Sequence, residues 1–340
     1  MKPSLLRYGK LALPFLVLMA FLILPRVRDD QDLIRILFAT FVWTIAGIAW
    51  NIIGGFTGQV SFGFAVFYGL GAYTAALLIN AGRNPYFAFL GAAGIAMLAS
   101  FLVGLPTFRL RGPYFAIATI GVTEAVRVIM SNVSFTGGAS GYRITEYGPF
   151  RQNEHYYQAL VILALAVAIS ALVAYSRFGL ALRAIKQDQD AAAHLGVNPY
   201  AFKLWAHAIA AALTGVAGAL HARYNIYLDP SGGPGGVFAF QTGISILLIP
   251  VIGGIGTVWG PVLGGAVVGV VEEWFTVKFP SIHLLLYGAL LIVIVLLEPD
   301  GLVGLLHRLA KLFRRRREDT GGPRADKVLW GRSRLEGREL

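Results

Sequence analysis

The feature that most constrains this chain is the repetition of apolar blocks about as long as a bilayer is thick. Ten can be marked, at roughly 11–25, 33–53, 60–79, 86–106, 113–131, 157–175, 204–222, 239–256, 261–278 and 282–297. A membrane-spanning helix needs about 20 such residues, and inside lipid every backbone N–H and C=O must be satisfied within the protein. The fold class that follows is all-α: a polytopic transmembrane helical bundle of about 8–10 spans with one short polar helix outside the membrane. Composition agrees, since 14% of the 340 residues are charged where a soluble domain carries about 25%. The 41 glycines suit close packing of membrane helices. The third block contains Gly63, Gly69 and Gly71, which makes 54–79 a candidate broken or re-entrant segment.

Lys2, Arg7 and Lys10 precede the first block, as in a signal peptide. Pro25 and Arg26 follow it where a small-residue cleavage site would stand, so it reads as a first spanning helix. Cysteine is absent, which excludes a disulfide framework and thiolate chemistry. A net charge of +11 would suggest nucleic acid in a soluble protein. Here the charges lie between spans and in the tail, so no nucleic-acid partner is expected. Positive charge orients the bundle. With the N-terminus in the cytoplasm, Arg109, Arg111, Arg177, Arg183, Lys186, Lys203 and the run 314–317 all fall inside. Both termini are then cytoplasmic in a bacterial inner membrane. Residues 1–306 form the membrane domain. The tail 307–340 is too charged to fold alone and is expected to be disordered, solvated or resting on lipid headgroups.

The most informative stretch is 177–220. Residues 179–195 are rich in good helix formers, Gly196 is placed to end a helix, and Asn198-Pro199 marks a turn before the next span. Asp190-Ala191-Ala192, three residues and then Gly196 resembles the EAA-x3-G signature of ABC importer permeases, with Asp for Glu. Three further segments, at 51–78, 112–141 and 253–274, resemble the Gly-rich segments of LivM-type permeases of branched-chain amino-acid ABC importers. The resemblance covers most of 40–300 in order. It implies that the helix at about 179–196 docks in a groove on an ATPase, through Arg183, Lys186, Asp190, Ala191, Ala192 and Gly196. It also implies a second homologous permease, two ATPase subunits that bind the ATP, and a periplasmic or surface-anchored solute-binding protein.

Other residues leave alternatives open. Gly256, Gly260 and Gly264, then Gly265 and Gly269, are spaced four apart, the pattern of a close-packed helix face. That face could meet this chain or a second permease. Glu124 and Arg127 lie three apart in an apolar span, where they can pair or line a solute path. Asn51, Thr57, Gln59 and Ser61 form a polar break that could expose N–H groups to a carboxylate. Thr136, Gly137 and Gly138 belong to an outer loop that either is plain or forms a gate. The histidines show no metal-site spacing. No G-x4-G-K-[ST] motif occurs, so ATP is not held by that route and no cofactor is expected. The function that follows is transport without an enzymatic site. The solute is a branched-chain or other amino acid; urea or short amides on the same architecture are the alternative. An ion-coupled carrier working alone is a further rival.

Overall fold

The computed structural model describes residues 19–27, 30–145, 151–231 and 236–279, with scattered positions from 282 to 308. Most of the tenth apolar block, the start of the first and nearly all of the tail lie outside the described residues.

Helix starts are written in capping residues. Asp30 accepts from the Asp32 and Leu33 N–H groups before α2 (Gln31–Thr57). Asn84 does the same for the Tyr86 N–H before α4 (Pro85–Thr107), and Asn198 for Ala201 before α9 (Pro199–Asn225). Each satisfies a donor that the first helical turn leaves unpaired. With α1 (19–27), α3 (Phe64–Asn80), α5 (Pro113–Asn132), α6 (Gln152–Tyr175), α7 (Arg177–Gln187), α8 (Gln189–His194), α10 (Phe240–Gly253) and α11 (Gly260–Lys278), they form a helical bundle. Among the described residues, five helices (α2, α4, α5, α6 and α9) are long and apolar enough to cross a membrane. The α3 segment is one continuous, largely buried helix; the break expected within 54–79 lies before it, at 58–63.

The core is built around α2 and α9. Helix α9 packs on α3 and α4, and α2 packs on α6, α9, α10 and α11. Small residues make these approaches close. A Cβ added at Gly218 would lie 1.9 Å from the Tyr68 carbonyl oxygen, and one at Gly71 2.1 Å from that of Gly215. In lipid, where apolar burial drives little, such backbone-level packing supplies the association. Gly265 and Gly269 face Thr44 and Thr40 of α2, and Gly264 faces the Ile249 carbonyl of α10. The glycine row therefore packs within this chain. Gly256 is a correction to that row: it precedes α11, in the loop after α10, with φ +78°.

Two ends can be told apart. One holds Asn80, the antiparallel pair Tyr142–Arg143 with Tyr227–Leu228, and the clamp in which Arg223 donates to Glu154 (2.8 Å) and Gln158. The other holds the α2–α3 turn, the α4–α5 loop, α7–α8 and the α10–α11 loop. Helix α5 is the outlier of the bundle: 22% of its apolar window is buried, against 78% for α2.

Replacing Gly218 with Leu forces α9 off α3 and is expected to cost at least about 3 kcal/mol. Gly94→Ala, with nothing within 4 Å of the new Cβ, is expected to leave stability unchanged or slightly raised. Thermal unfolding in detergent, followed by size-exclusion chromatography, separates the two.

Candidate functional site

The second end of the bundle gathers most of the residues that sequence reasoning selected. Helix α2 ends at Gly58 in the left-handed region (φ +73°), and the chain folds back so that Trp50 Nε1 donates to the Ser61 carbonyl at 2.7 Å. Asn51, fully buried, bridges to the α10–α11 loop. Its Nδ2 donates to the Thr257 carbonyl and its Oδ1 accepts from the Gly256 N–H, both at 2.8 Å. Asn51 therefore ties helix α2 to the α10–α11 loop rather than presenting itself to a path. Ser61 is likewise buried, and its hydroxyl accepts from the Gly63 N–H. Gln59 lines a cavity of about 430 Å³ beside this turn.

The segment after α6 folds as two helices, where one had been expected over 179–195. Asp188 interrupts it with an extended backbone, and its carboxylate accepts from the Asp190 and Ala191 N–H groups as the cap of α8. Aspartate is poor inside a helix and strong at its start. At the far end Gly196 (φ +86°) donates to Ala193 O and Val197 donates to Ala192 O. This is the reciprocal closing pattern of a helix ended by glycine.

Helix α7 is amphipathic. Gly179, Leu182 and Ile185 face the bundle and Arg183 faces solvent. Lys186 reaches in to donate to the Gly55 carbonyl at 2.8 Å, so it is a strut from α7 to the end of α2. Asp190 is taken up by Arg111 of the α4–α5 loop, through two hydrogen bonds at 2.9 and 3.0 Å. That guanidinium holds the Asp190 carboxyl below the usual aspartate range, and the carboxylate raises Arg111 in turn. Ala192 is buried against the bundle, which corrects its expected place on a docking surface; Ala191 is exposed. Leu195, which sequence reasoning passed over, is 84% exposed. Its position beside a helix-ending glycine was the available signal.

Two groups of candidates lie elsewhere. Thr136 is at the opposite end, with its hydroxyl turned inward to the Val133 and Met130 carbonyls; Gly137 and Gly138 adopt positive φ in consecutive short turns. The tight fold needs these glycines, since a Cβ at Gly137 would lie 2.0 Å from Gly141 O. Glu124 pairs with Arg127, which donates from Nε at 2.9 Å. The pair lies on the uncovered part of α5, about 17 Å along the helix from Pro113 at 1.5 Å per residue. Charge at that depth is stable against protein or water and costly against lipid.

These features define a polytopic helical membrane protein with a short helix pair strapped to one end of its bundle. A family model described as branched-chain amino acid transport system / permease component matches residues 33–295. The chain is 30% identical over 304 residues to the high-affinity branched-chain amino acid transport system permease protein LivM of Salmonella typhimurium, covering 80% of this chain and 70% of that protein. The same values hold for LivM of Escherichia coli (strain K12). LivH of E. coli (strain K12), from the same kind of system, is 25% identical over 289 residues, covering 77% and 91%. No solved structure matches the chain. The protein belongs to the family of branched-chain amino acid transport permeases.

Arg111→Gln removes the fork on Asp190. Amide hydrogen exchange over 188–197 is expected to rise while exchange over 205–222 stays unchanged, because α8 loses a tie and α9 does not. The fork also sets a pH dependence. Arg111 holds the folded pKa of Asp190 below the ordinary aspartate range, so the tie is whole at neutral pH and is lost as pH falls through that lowered value. The same exchange measurement across acid pH reads it.

Proposed function

We propose that this chain is a membrane-spanning subunit of an ABC importer for branched-chain or other amino acids. In this reading the end bearing α7 and α8 is cytoplasmic, as are both termini, in a bacterial inner membrane. Two separate ATPase subunits bind and hydrolyse the ATP, a binding protein delivers solute to the opposite end, and a second related permease completes the path.

The observation that carries the reading is the way α7 and α8 are strapped. Lys186 ties α7 to the end of α2, Arg111 ties α8 to the α4–α5 loop, and Leu195 stands exposed between them and solvent. An apolar knob on a charged, small-residue helix suits helix-in-groove recognition, and the straps lead from it to the two spans flanking the cavity. A partner that pulls on α8 in one nucleotide state and not another would shift the bundle only through such differential contacts. Arg183 of α7 and Asp190, Ala191 and Gly196 of the α8 segment are exposed as well. In this reading Asp190 serves the partner through the shape of α8, since its carboxylate is already engaged by Arg111.

The second permease belongs against α5. That helix is the least covered span and carries Glu124 and Arg127 mid-way. Relatives of both the LivM and the LivH kind match the chain, which supports a pair of unlike permeases over a single carrier. Transport of urea or short amides would use the same assembly and differs only in the solute that the binding protein supplies.

Leu195→Asp is expected to abolish co-elution of the ATPase subunits from gentle detergent while leaving the monodispersity of the chain unchanged. Full ATPase recovery with this variant would remove the docking role of α8. Glu124→Leu, which strands Arg127, is expected to lower recovery of the second permease without affecting that of the ATPases.

A further inference from the structure

We propose that the cavity beside the α2–α3 turn is a carboxylate-binding subsite for the transported solute, with Lys203 as its charged donor. The proposal rests on the permease reading and adds to it the chemical group that this chain itself recognises.

Lys203 sits in the first turns of α9 and is 4% exposed. An ammonium carries three N–H donors. The partner Lys203 has is the side-chain carbonyl oxygen of Gln189, a neutral acceptor on α8. A buried cation normally has a carboxylate beside it, because desolvation is costly otherwise. Among the described residues no carboxylate pairs with Lys203; its charged neighbour on the cavity wall is Arg111, of like sign, whose own fork is committed to Asp190. Both basic residues line the same cavity. The first turn of α5 forms another wall, begins at Gly112 and has no side-chain cap. The positive end of a helix dipole favours anions. Lys203 and the start of α5, both positive, thus face one space, with the engaged guanidinium of Arg111 on its wall.

The remaining walls suit an aliphatic body. Val60, Pro113 and Ile185 line the cavity, and its volume of about 430 Å³ falls within the usual range for small-molecule pockets, about 300–1,000 Å³. An anion with a short apolar side chain fits this combination better than an inorganic ion does. One turn along the same face of α9, His207 is buried against Phe64, Phe67 and Phe108 with neither ring nitrogen hydrogen-bonded. Hydrogen-bonding capacity therefore continues from Lys203 into the bundle.

The chain has no cysteine, so Gln59→Cys introduces a thiol unique to this chain on the cavity wall with Lys203 intact. The test uses the full assembly in proteoliposomes and a negatively charged methanethiosulfonate. Millimolar leucine is expected to slow labelling about tenfold, the worth of one charge-assisted contact, and leucinamide, which lacks the carboxylate, is expected not to. Lys203→Cys removes the donor and is expected to lower leucine uptake about tenfold; attaching an aminoethyl group to its thiol restores an ammonium and is expected to restore uptake. That second variant keeps the test open should the first misfold. Equal slowing by leucine and leucinamide, or none by either, overturns the subsite. Slowing that requires the ATPase and not the solute also overturns it, by assigning the cavity to a partner's carboxylate. ATPase co-elution with the unsubstituted chain is measured alongside. Its absence counts against the permease reading, whereas normal co-elution without leucine protection counts against the subsite alone.

Discussion

The close approach of α9 to α3 is the contact on which the rest of the bundle depends. Gly71, Gly215 and Gly218 let the two backbones touch, and Ala92 and Ala96 of α4 meet Gly215 from the other side. In lipid there is little hydrophobic gain from bringing helices together, so van der Waals contact at this range carries the association. The seam fixes α9, and α9 supplies Lys203 and His207 on one face. The same logic recurs where Gly265 and Gly269 seat α11 on Thr44 and Thr40. Packing by small residues leaves the polar side chains free to serve the ends of the bundle.

At the end that holds α7 and α8, side chains do what regular secondary structure cannot. The α2–α3 turn and the α10–α11 loop have backbone groups that no helix satisfies, and buried backbone polar groups must find partners. Asn51 and Trp50 supply them from α2, and Lys186 supplies one from α7. The result is that α7 and α8 are joined to α2 and the α4–α5 loop by charged and amide groups rather than by apolar contact alone.

Much of this was legible in the sequence. Block lengths gave the class of fold, Gly196 announced the end of α8, and Asn198-Pro199 announced the start of α9. Local chemistry decides these features, so a local pattern suffices. The break at Asp188 was also local, and was missed because helix formers on both sides outweighed one capping residue. Other features were out of reach. Asn51 meets Gly256 and Thr257 some 205 residues away, and a polar break in a sequence looks the same whether it faces a solute or a loop. Ala192 and Ala191 are neighbours of identical type, yet one is buried and the other exposed; only the rotation of α8 against the bundle separates them. Gly256 shared a spacing with Gly260 and Gly264 but not a helix, because α11 starts after the repeat does.

Helix α5 has a consequence beyond the geometry of one chain. Its Glu124 and Arg127 satisfy each other, but the Glu124 side chain is left 60% exposed. A solitary copy holds that pair against acyl chains, whereas a copy with protein or water at the same face does not. The folded chain is therefore a poorer thing alone than in company. Its cellular abundance should track that of whatever occupies the face, since unaccompanied copies stand first in line for the proteases that clear marginal membrane proteins.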